Sequence, residues 1–360
     1  MIIRRAFKYR LKPTPSQREK FLQFAGARRF AFNRGLDERK KTYEATGKNL
    51  SYFEQNIELT SLKDQPETGW LKEIHSQVPQ QALKDLDRAF KNFFRRVKKG
   101  EKPGYPRFKK KGMSESFRYP QGVKISGSKV FLPKIGWIKF RKSRELQGLL
   151  KETTILQEGT NWFVSFSCEW GKETKLVPLH ESKAVGIDMG LTKFATTSSG
   201  PKNSRHDIEN PRFLSKRLSH LRYLSKQLSK KVKKSKNSYK ARLKLSKYHA
   251  RIKNLRNDFV QKLSTEMIKN HDIFCIESLD ISSLMKESPK GLSRSIGDAG
   301  WRMFLHCLKY KAEERGKHLI EAGKYFPSSQ ICAFCWNSQK MPLAMRQYEC
   351  ERCGIKTDRD

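Results

Sequence analysis

From Asn210 to Asn257 the sequence contains no aspartate and no glutamate, while the same stretch carries seventeen lysines and arginines. A segment so one-sided repels itself unless a polyanion neutralises it. Long apolar runs are absent as well. Nothing approaches the roughly 20 consecutive apolar residues needed to span a bilayer, and the opening MIIRRAFKYR lacks the apolar core of a secretion signal. A soluble cytoplasmic protein with no membrane partner is expected. Cysteine is sparse outside two close pairs: Cys168, Cys275 and Cys307 stand alone in apolar settings and should pack as small hydrophobes. No internal repeat is apparent.

What is present is positive charge on a chain able to fold. With 76 Lys and Arg against 36 Asp and Glu, the 360 residues carry a formal charge of +40, which makes nucleic acid the default partner. A hydrophobic content of 36% suffices for cores in two or three domains.

The opening IIRRAFKYRLKP alternates apolar and basic residues as a strand does, and Pro13 and Pro15 end it. Helical spacing starts at Ser16 and continues to about Lys99, with Leu83, Leu86, Phe90, Phe93 and Phe94 as the clearest stripe and Gly100 as its stop. Pro103, Gly104 and Pro106 then break the periodicity inside a basic loop. Short alternating strands separated by glycine turns follow, in the manner of a small antiparallel barrel that the first strand could complete. After His180 the pattern becomes α/β. KAVGIDMG is a strand, KFATTSSG its return, and the acid-free stretch an antiparallel helical hairpin with an apolar seam and a cationic outside. DIFCIESLD reads as a strand buried on both faces, GWRMFLHCLKYKAEERG as a helix, and HLIEA as a further strand.

Two constellations carry chemistry. Cys332-x-x-Cys335 and Cys350-x-x-Cys353 supply four thiolates on two turns, the arrangement one tetrahedral structural Zn²⁺ requires. Four ligands leave no open position, and Arg346 and Tyr348 on this ribbon could touch nucleic acid. Asp188 and Glu277 each close an apolar strand of the α/β part. Carboxylates at adjacent strand ends repel unless a cation lies between them, and two Mg²⁺ ions there would serve phosphodiester hydrolysis. A third acid is needed; TDRD offers Asp358 and Asp360.

KYRLKPTPSQ, a turn at GARRFAFN, KPGYPRFKKK with SFRYP, VGIDMGLTKFAT, FCIESLDISSL, GWRMFLHCLKYKAEERG, YFPSSQICAFC and YECERCGIKTDRD occur in one order along essentially the whole chain. Together they resemble the OrfB/TnpB family encoded by insertion sequences, which is similar to the type V CRISPR effectors. The resemblance implies an α/β plus α+β multidomain protein: an RNase H-like RuvC nuclease domain with a zinc ribbon, preceded by a small wedge-type β-barrel interrupted by a helical recognition insert. The barrel would comprise residues 1–12 and 115–178, and the insert and basic loop 13–114. RuvC would span 179–324 with its basic hairpin at 210–265, the ribbon 325–355, and the end of RuvC 356–360.

The activity implied is RNA-guided, Mg²⁺-dependent cleavage of double-stranded DNA in a bacterial or archaeal cytoplasm, near the nucleoid, with no small-molecule substrate. Asp188, Glu277 and Asp360 would be the metal ligands, Asp360 being the second acid of DRD. Guide RNA and target DNA would be held by Lys8, Arg10, Arg28, Arg29, Asn33, Tyr105, Arg107, Lys109, Lys110 and Arg118, and along the hairpin by Lys230, Lys231, Lys233 and Lys234. Two departures from the family pattern stand out. Trp336 follows Cys335 where glycine is common, and the sequence stops at Asp360 where the family continues into a helix that would hold the third carboxylate. The second departure keeps a nuclease-silent, RNA-guided DNA-binding protein as one alternative; a transposase acting by direct strand transfer is another.

Overall fold

The computed structural model describes residues 1–112, 115–180, 183–199, 204–323, 326–327, 330–342, 345 and 347–358. The chain divides into two compact units, Met1–Lys172 and Glu173–Asp360. No described helix is long and apolar enough to cross a membrane.

In the first unit, strand β1 (Ile2–Lys12) buries Ile3, Phe7, Tyr9 and Leu11. Helix α1 (Pro15–Thr46) starts where it does because Thr14 caps it, Gln17 completes a capping box, and Pro15 occupies the first turn, where its missing N–H is no loss. It ends on Gly47 at φ 68°. GARRFAFN is not a turn: Gly26 to Asn33 lie inside α1, since one glycine among Ala, Arg and Phe does not outweigh a capped, packed helix. Helices α2 (Tyr52–Ser61) and α3 (Gln77–Lys98) pack beside it. A Cβ on Gly35 would lie 2.6 Å from Leu83 Cδ2, so glycine there permits the close approach of α3.

Six further strands follow: β2 (Ser116–Tyr119), β3 (Lys124–Ser126), β4 (Lys129–Leu132), β5 (Gly136–Arg141), β6 (Leu149–Glu158) and β7 (Asn161–Gly171). The sheet order is β2-β6-β7-β1-β5-β4-β3, with every neighbour antiparallel. The first strand sits mid-sheet, paired on both edges. The sheet is a curled half-barrel and not a closed one, because β2 and β3 form its ends and do not pair with each other. Phe21 seals α1 onto it, 4.9 Å from Trp162 and 5.7 Å from Phe117 between ring centroids.

In the second unit, β8 (Ala184–Asp188), β9 (Lys193–Ser199) and β10 (Ser204–Glu209) form an antiparallel meander. The helices α4 (Leu218–Ser229) and α5 (Lys236–Asn270) lead to β11 (Ile273–Glu277), parallel to β8. Then come α6 (Ile281–Glu287), α7 (Lys290–Ala299), α8 (Trp301–Glu314) and β12 (His318–Ala322), parallel to β11. The sheet order is β10-β9-β8-β11-β12. Phe194 packs edge-on against Phe259 and Phe304, joining sheet to helices. A ribbon of β13 (Gln347–Glu349) and β14 (Lys356–Asp358) closes the chain.

The expected strand buried on both faces is buried on one. Val185, Ile187, Phe274 and Ile276 fill the core, whereas Cys275 is exposed on the opposite face and is not the packed hydrophobe anticipated. The expected hairpin is present with a weaker seam: α4 has no buried residue and α5 buries Ile252 near its middle. Its base is fastened by Asp298 of α7, 5% exposed, whose carboxylate accepts N–H bonds from Leu214 and Ser215 and pairs with Arg256 at 2.9 Å. Asp298→Ala leaves two amides without their acceptor and that cation without its counter-charge, with only the Nε bond to the carbonyl of residue 298 remaining. A loss of about 3 kcal/mol is expected, read as a lower urea midpoint.

Candidate functional site

Parallel pairing places Ile187 beside Ile276, so the next residues, Asp188 and Glu277, stand on adjacent strand ends about 5 Å apart along the hydrogen-bonding direction. Both belong to the face that carries Gly186 and Cys275, both are half-buried, and both line one cavity of about 470 Å³. The bare Cα of Gly186 keeps the β9 edge close, since a Cβ would meet Ser198 Oγ at 3.0 Å. Arg205 of β10 and Lys356 of β14 line the same cavity, with Phe334 and Tyr348 from the ribbon. Arg205 Nε donates to Asp207 at 3.1 Å. Sequence reasoning missed Arg205 because SRHDIE carries too many charges to read as a strand, although a charged edge strand is a common device.

Two carboxylates on one cavity face suit a hard divalent cation. Among the described residues no third Asp, Glu, His or Cys is grouped with them. Asp360 and Arg346 lie outside the described residues, and Asp358 ends β14.

The four cysteines do converge, with all Sγ atoms within 4.8 Å of one another. Cys332 to Cys353 is 3.7 Å and Cys335 to Cys350 is 3.5 Å, close to the ~3.8 Å edge of a tetrahedron with Zn–S bonds of ~2.3 Å. The two knuckles repeat one hydrogen-bond pattern. Trp336 N–H donates to Cys332 O at 3.0 Å and Cys332 N–H to Asn337 O at 2.8 Å; Gly354 N–H donates to Cys350 O at 2.8 Å and Cys350 N–H to Ile355 O at 2.9 Å.

Amide N–H groups of the knuckles hold the first thiol of each pair down: Cys335 N–H acts on Cys332, and Cys353 N–H brings Cys350 to about 6. Cys335 and Cys353 move the other way. An amide from Ile355 pulls Cys353 down, but burial and the neighbouring sulfurs push it up to about 12. In Cys335 an amide from Asn337 is likewise outweighed by burial and Cys350. The left-handed position after the second cysteine is taken by Gly354 at φ 67° in one knuckle and by Trp336 at φ 59° in the other. For a side-chain-bearing residue that conformation costs about 1–2 kcal/mol. Tyr348, anticipated as a nucleic-acid contact, is 3% exposed and belongs to the ribbon's core, with one edge lining the cavity of Asp188 and Glu277.

In the first unit, several expected nucleic-acid residues are engaged within the protein. Arg28 and Arg118 share Asp85 at 3.2 and 2.5 Å, Arg29 pairs with Glu115 at 3.2 Å, and Lys8 with Glu158 at 2.6 Å. Arg10 donates to Asn161 at 2.7 Å. Asn33 grips the Lys109 backbone, donating to its carbonyl at 3.0 Å and accepting its N–H at 2.7 Å. Tyr105 lies edge-on between Phe90 and Phe93, using the distal part of the α3 stripe. These contacts hold the basic loop against α1 and leave Arg107, Lys109 and Lys110 exposed along a cavity of about 470 Å³. Lys230, Lys231, Lys233 and Lys234 are exposed between α4 and α5.

Comparison with known proteins gives a consistent set of likenesses. The OrfB family profile described as "Probable transposase" matches residues 165–288, a Cas12f1-like TNB domain matches 301–360, and a "Helix-turn-helix domain" of OrfB proteins matches 1–48. Over that last range the chain forms β1 and one continuous helix, not two helices. An Escherichia coli K12 protein named "Putative RNA-guided DNA endonuclease InsQ" is 38% identical over 96% of this chain and 87% of its own. A "Putative RNA-guided DNA endonuclease" of Streptomyces pristinaespiralis is 33% identical over 99% and 87%. Among solved structures, Cas12f1 in a complex with sgRNA and target DNA superposes with a TM-score of 0.54 at 12% identity, over 94% of this chain and 92% of that one. That likeness concerns the fold.

Proposed function

The chain belongs to the OrfB/TnpB family of insertion-sequence proteins, and from that premise we propose that it is an RNA-guided DNA endonuclease whose hydrolytic centre is the cavity between β8 and β11. The observation that carries the reading is the in-register pairing of those strands, which sets Asp188 and Glu277 side by side on one cavity face. The sheet order β10-β9-β8-β11-β12, with an antiparallel meander continued by two parallel strands, supports an RNase H-like domain of the RuvC kind.

In this reading Asp188 and Glu277 hold Mg²⁺ with Asp360 as third ligand. Mg²⁺ held there supplies Lewis-acid polarisation of the phosphate and a nucleophile at neutral pH. Arg205 and Lys356 place positive charge where the phosphodiester backbone enters, and the ribbon walls one side, limiting water. Sequence recognition comes from base pairing with the guide, while the protein contributes backbone contacts through its exposed cations. The four cysteines hold one structural Zn²⁺.

The test is cleavage of matched DNA by the purified chain with element-derived RNA in Mg²⁺. Cutting is expected only with RNA, Mg²⁺ and a matching target all present. Strand transfer without RNA, or binding of matched DNA with no cutting, would overturn the proposal.

A further inference from the structure

We propose that Trp336 is a stacking platform for an unpaired nucleobase, holding a single nucleic-acid strand whose backbone enters the cavity of Asp188 and Glu277; this rests on the nuclease reading above. The two zinc-type knuckles are alike in backbone, and both demand a left-handed residue at the same place. Gly354 meets that demand without strain. Trp336 meets it against the steric preference of every side-chain-bearing residue.

Among the described residues the ring takes no part in core packing. It is 73% exposed and has no part in the ribbon's core of Cys332, Tyr348 and Cys350. A strained backbone that presents a large aromatic to solvent is explained by a partner that covers the ring. The surroundings define that partner. Phe334, 52% exposed and two residues earlier, lines the cavity holding the acid pair, as do the cations Arg205 and Lys356. Phe334 shares that cavity with the cations, Trp336 stands on the same knuckle two residues further on, and flat apolar rings leading to positive charge fit a strand with an anionic backbone and free base faces. Duplex DNA keeps its bases stacked on one another and offers no such face, so the ring discriminates in favour of an unpaired strand. Opening of a target by guide pairing produces that strand.

The experiment uses the full chain with guide RNA in an Asp188→Ala background, so that binding is read without cutting. The probe is a fluorescein-labelled oligo-dT, at salt high enough to weaken phosphate contacts. Trp336→Ala and Trp336→Gly are expected to weaken binding about tenfold, Trp336→Tyr to stay within about twofold of the parent, and duplex binding to be unchanged. Trp336→Gly relieves the backbone and should melt at or above the parent temperature, which separates lost stacking from lost folding. Unchanged oligo-dT affinity in Trp336→Gly, or no oligo-dT binding by the parent, overturns the platform. A platform that binds while the unmutated chain fails to cut matched DNA in Mg²⁺ would defeat the nuclease reading and leave only the stacking of a base on Trp336 standing.

Discussion

Asp188→Ala lowers guided DNA cleavage about a thousandfold and leaves occupancy of matched DNA where it was. The magnitude follows from the role assigned: removing a metal ligand forfeits about 4 kcal/mol of transition-state charge stabilisation, and each 1.36 kcal/mol is tenfold in rate. Occupancy survives because the core packing of β8 comes from its other face. Val185 and Ile187 carry the packing of β8 on the other face, and the strand pairs through its backbone. The exposed cations proposed to contact phosphate are untouched, so the slope of log affinity against log salt should also be unchanged. Glu277→Gln should give a loss of similar size. Combining the two should cost little more than either alone, since ligands that act as one unit are non-additive. Cleavage rates and filter binding on matched plasmid, with guide RNA in Mg²⁺, measure both quantities. Losses that multiply in the double variant, or cutting that persists in Asp188→Ala, would place the chemistry elsewhere.

The strands bearing Asp188 and Glu277 are legible because each is a short apolar run stopped by one charge, and that pattern survives without any knowledge of neighbours. Their adjacency is not, because parallel pairing of segments 89 residues apart is a tertiary fact. β10 escaped notice for a related reason. An edge strand is defined by the backbone it pairs with, and its side chains, Arg205 and Asp207 among them, are polar. Exposure of Cys275 was hidden in the same way: the run DIFCIESLD looks uniformly apolar, yet the cavity opens on one face of it. The arginines of α1 mislead in the opposite sense. Arg28 and Arg29 read as free cations in the sequence, but their partners Asp85 and Glu115 come from distant segments, and the ion pairs fasten α1 to α3 and to β2. What could be read in full was the pair of knuckles, where spacing alone dictates geometry.

Stripping zinc with a chelator should unfold the ribbon and abolish cleavage while the rest of the chain stays folded. Among the described residues the ribbon's own buried core is Cys332, Tyr348 and Cys350, far too few to hold a segment of this size together without a metal or cross-link. The four sulfurs are grouped closely enough to hold a cation. With Cys332 and Cys350 drawn toward thiolate and Cys335 and Cys353 held back by their neighbours, four negative sulfurs cannot coexist at these separations until an ion takes up the charge. Binding therefore releases protons, and retention must fall with pH. The sign follows from Cys350: its folded-state value of about 6 lies below the ordinary thiol value of about 9, so its contribution is full above about 9, declines as pH falls below that and is lost as pH drops through about 6. One zinc per chain is expected by elemental analysis at pH 8, falling toward none near pH 5. Cys350→Ser should behave at pH 8 as the parent does after chelation, with the ribbon becoming susceptible to protease. Purified chain without zinc, or a ribbon equally protease-resistant with and without chelator, would show that something other than the metal holds these knuckles, and the wall they give the Asp188 cavity would need another support.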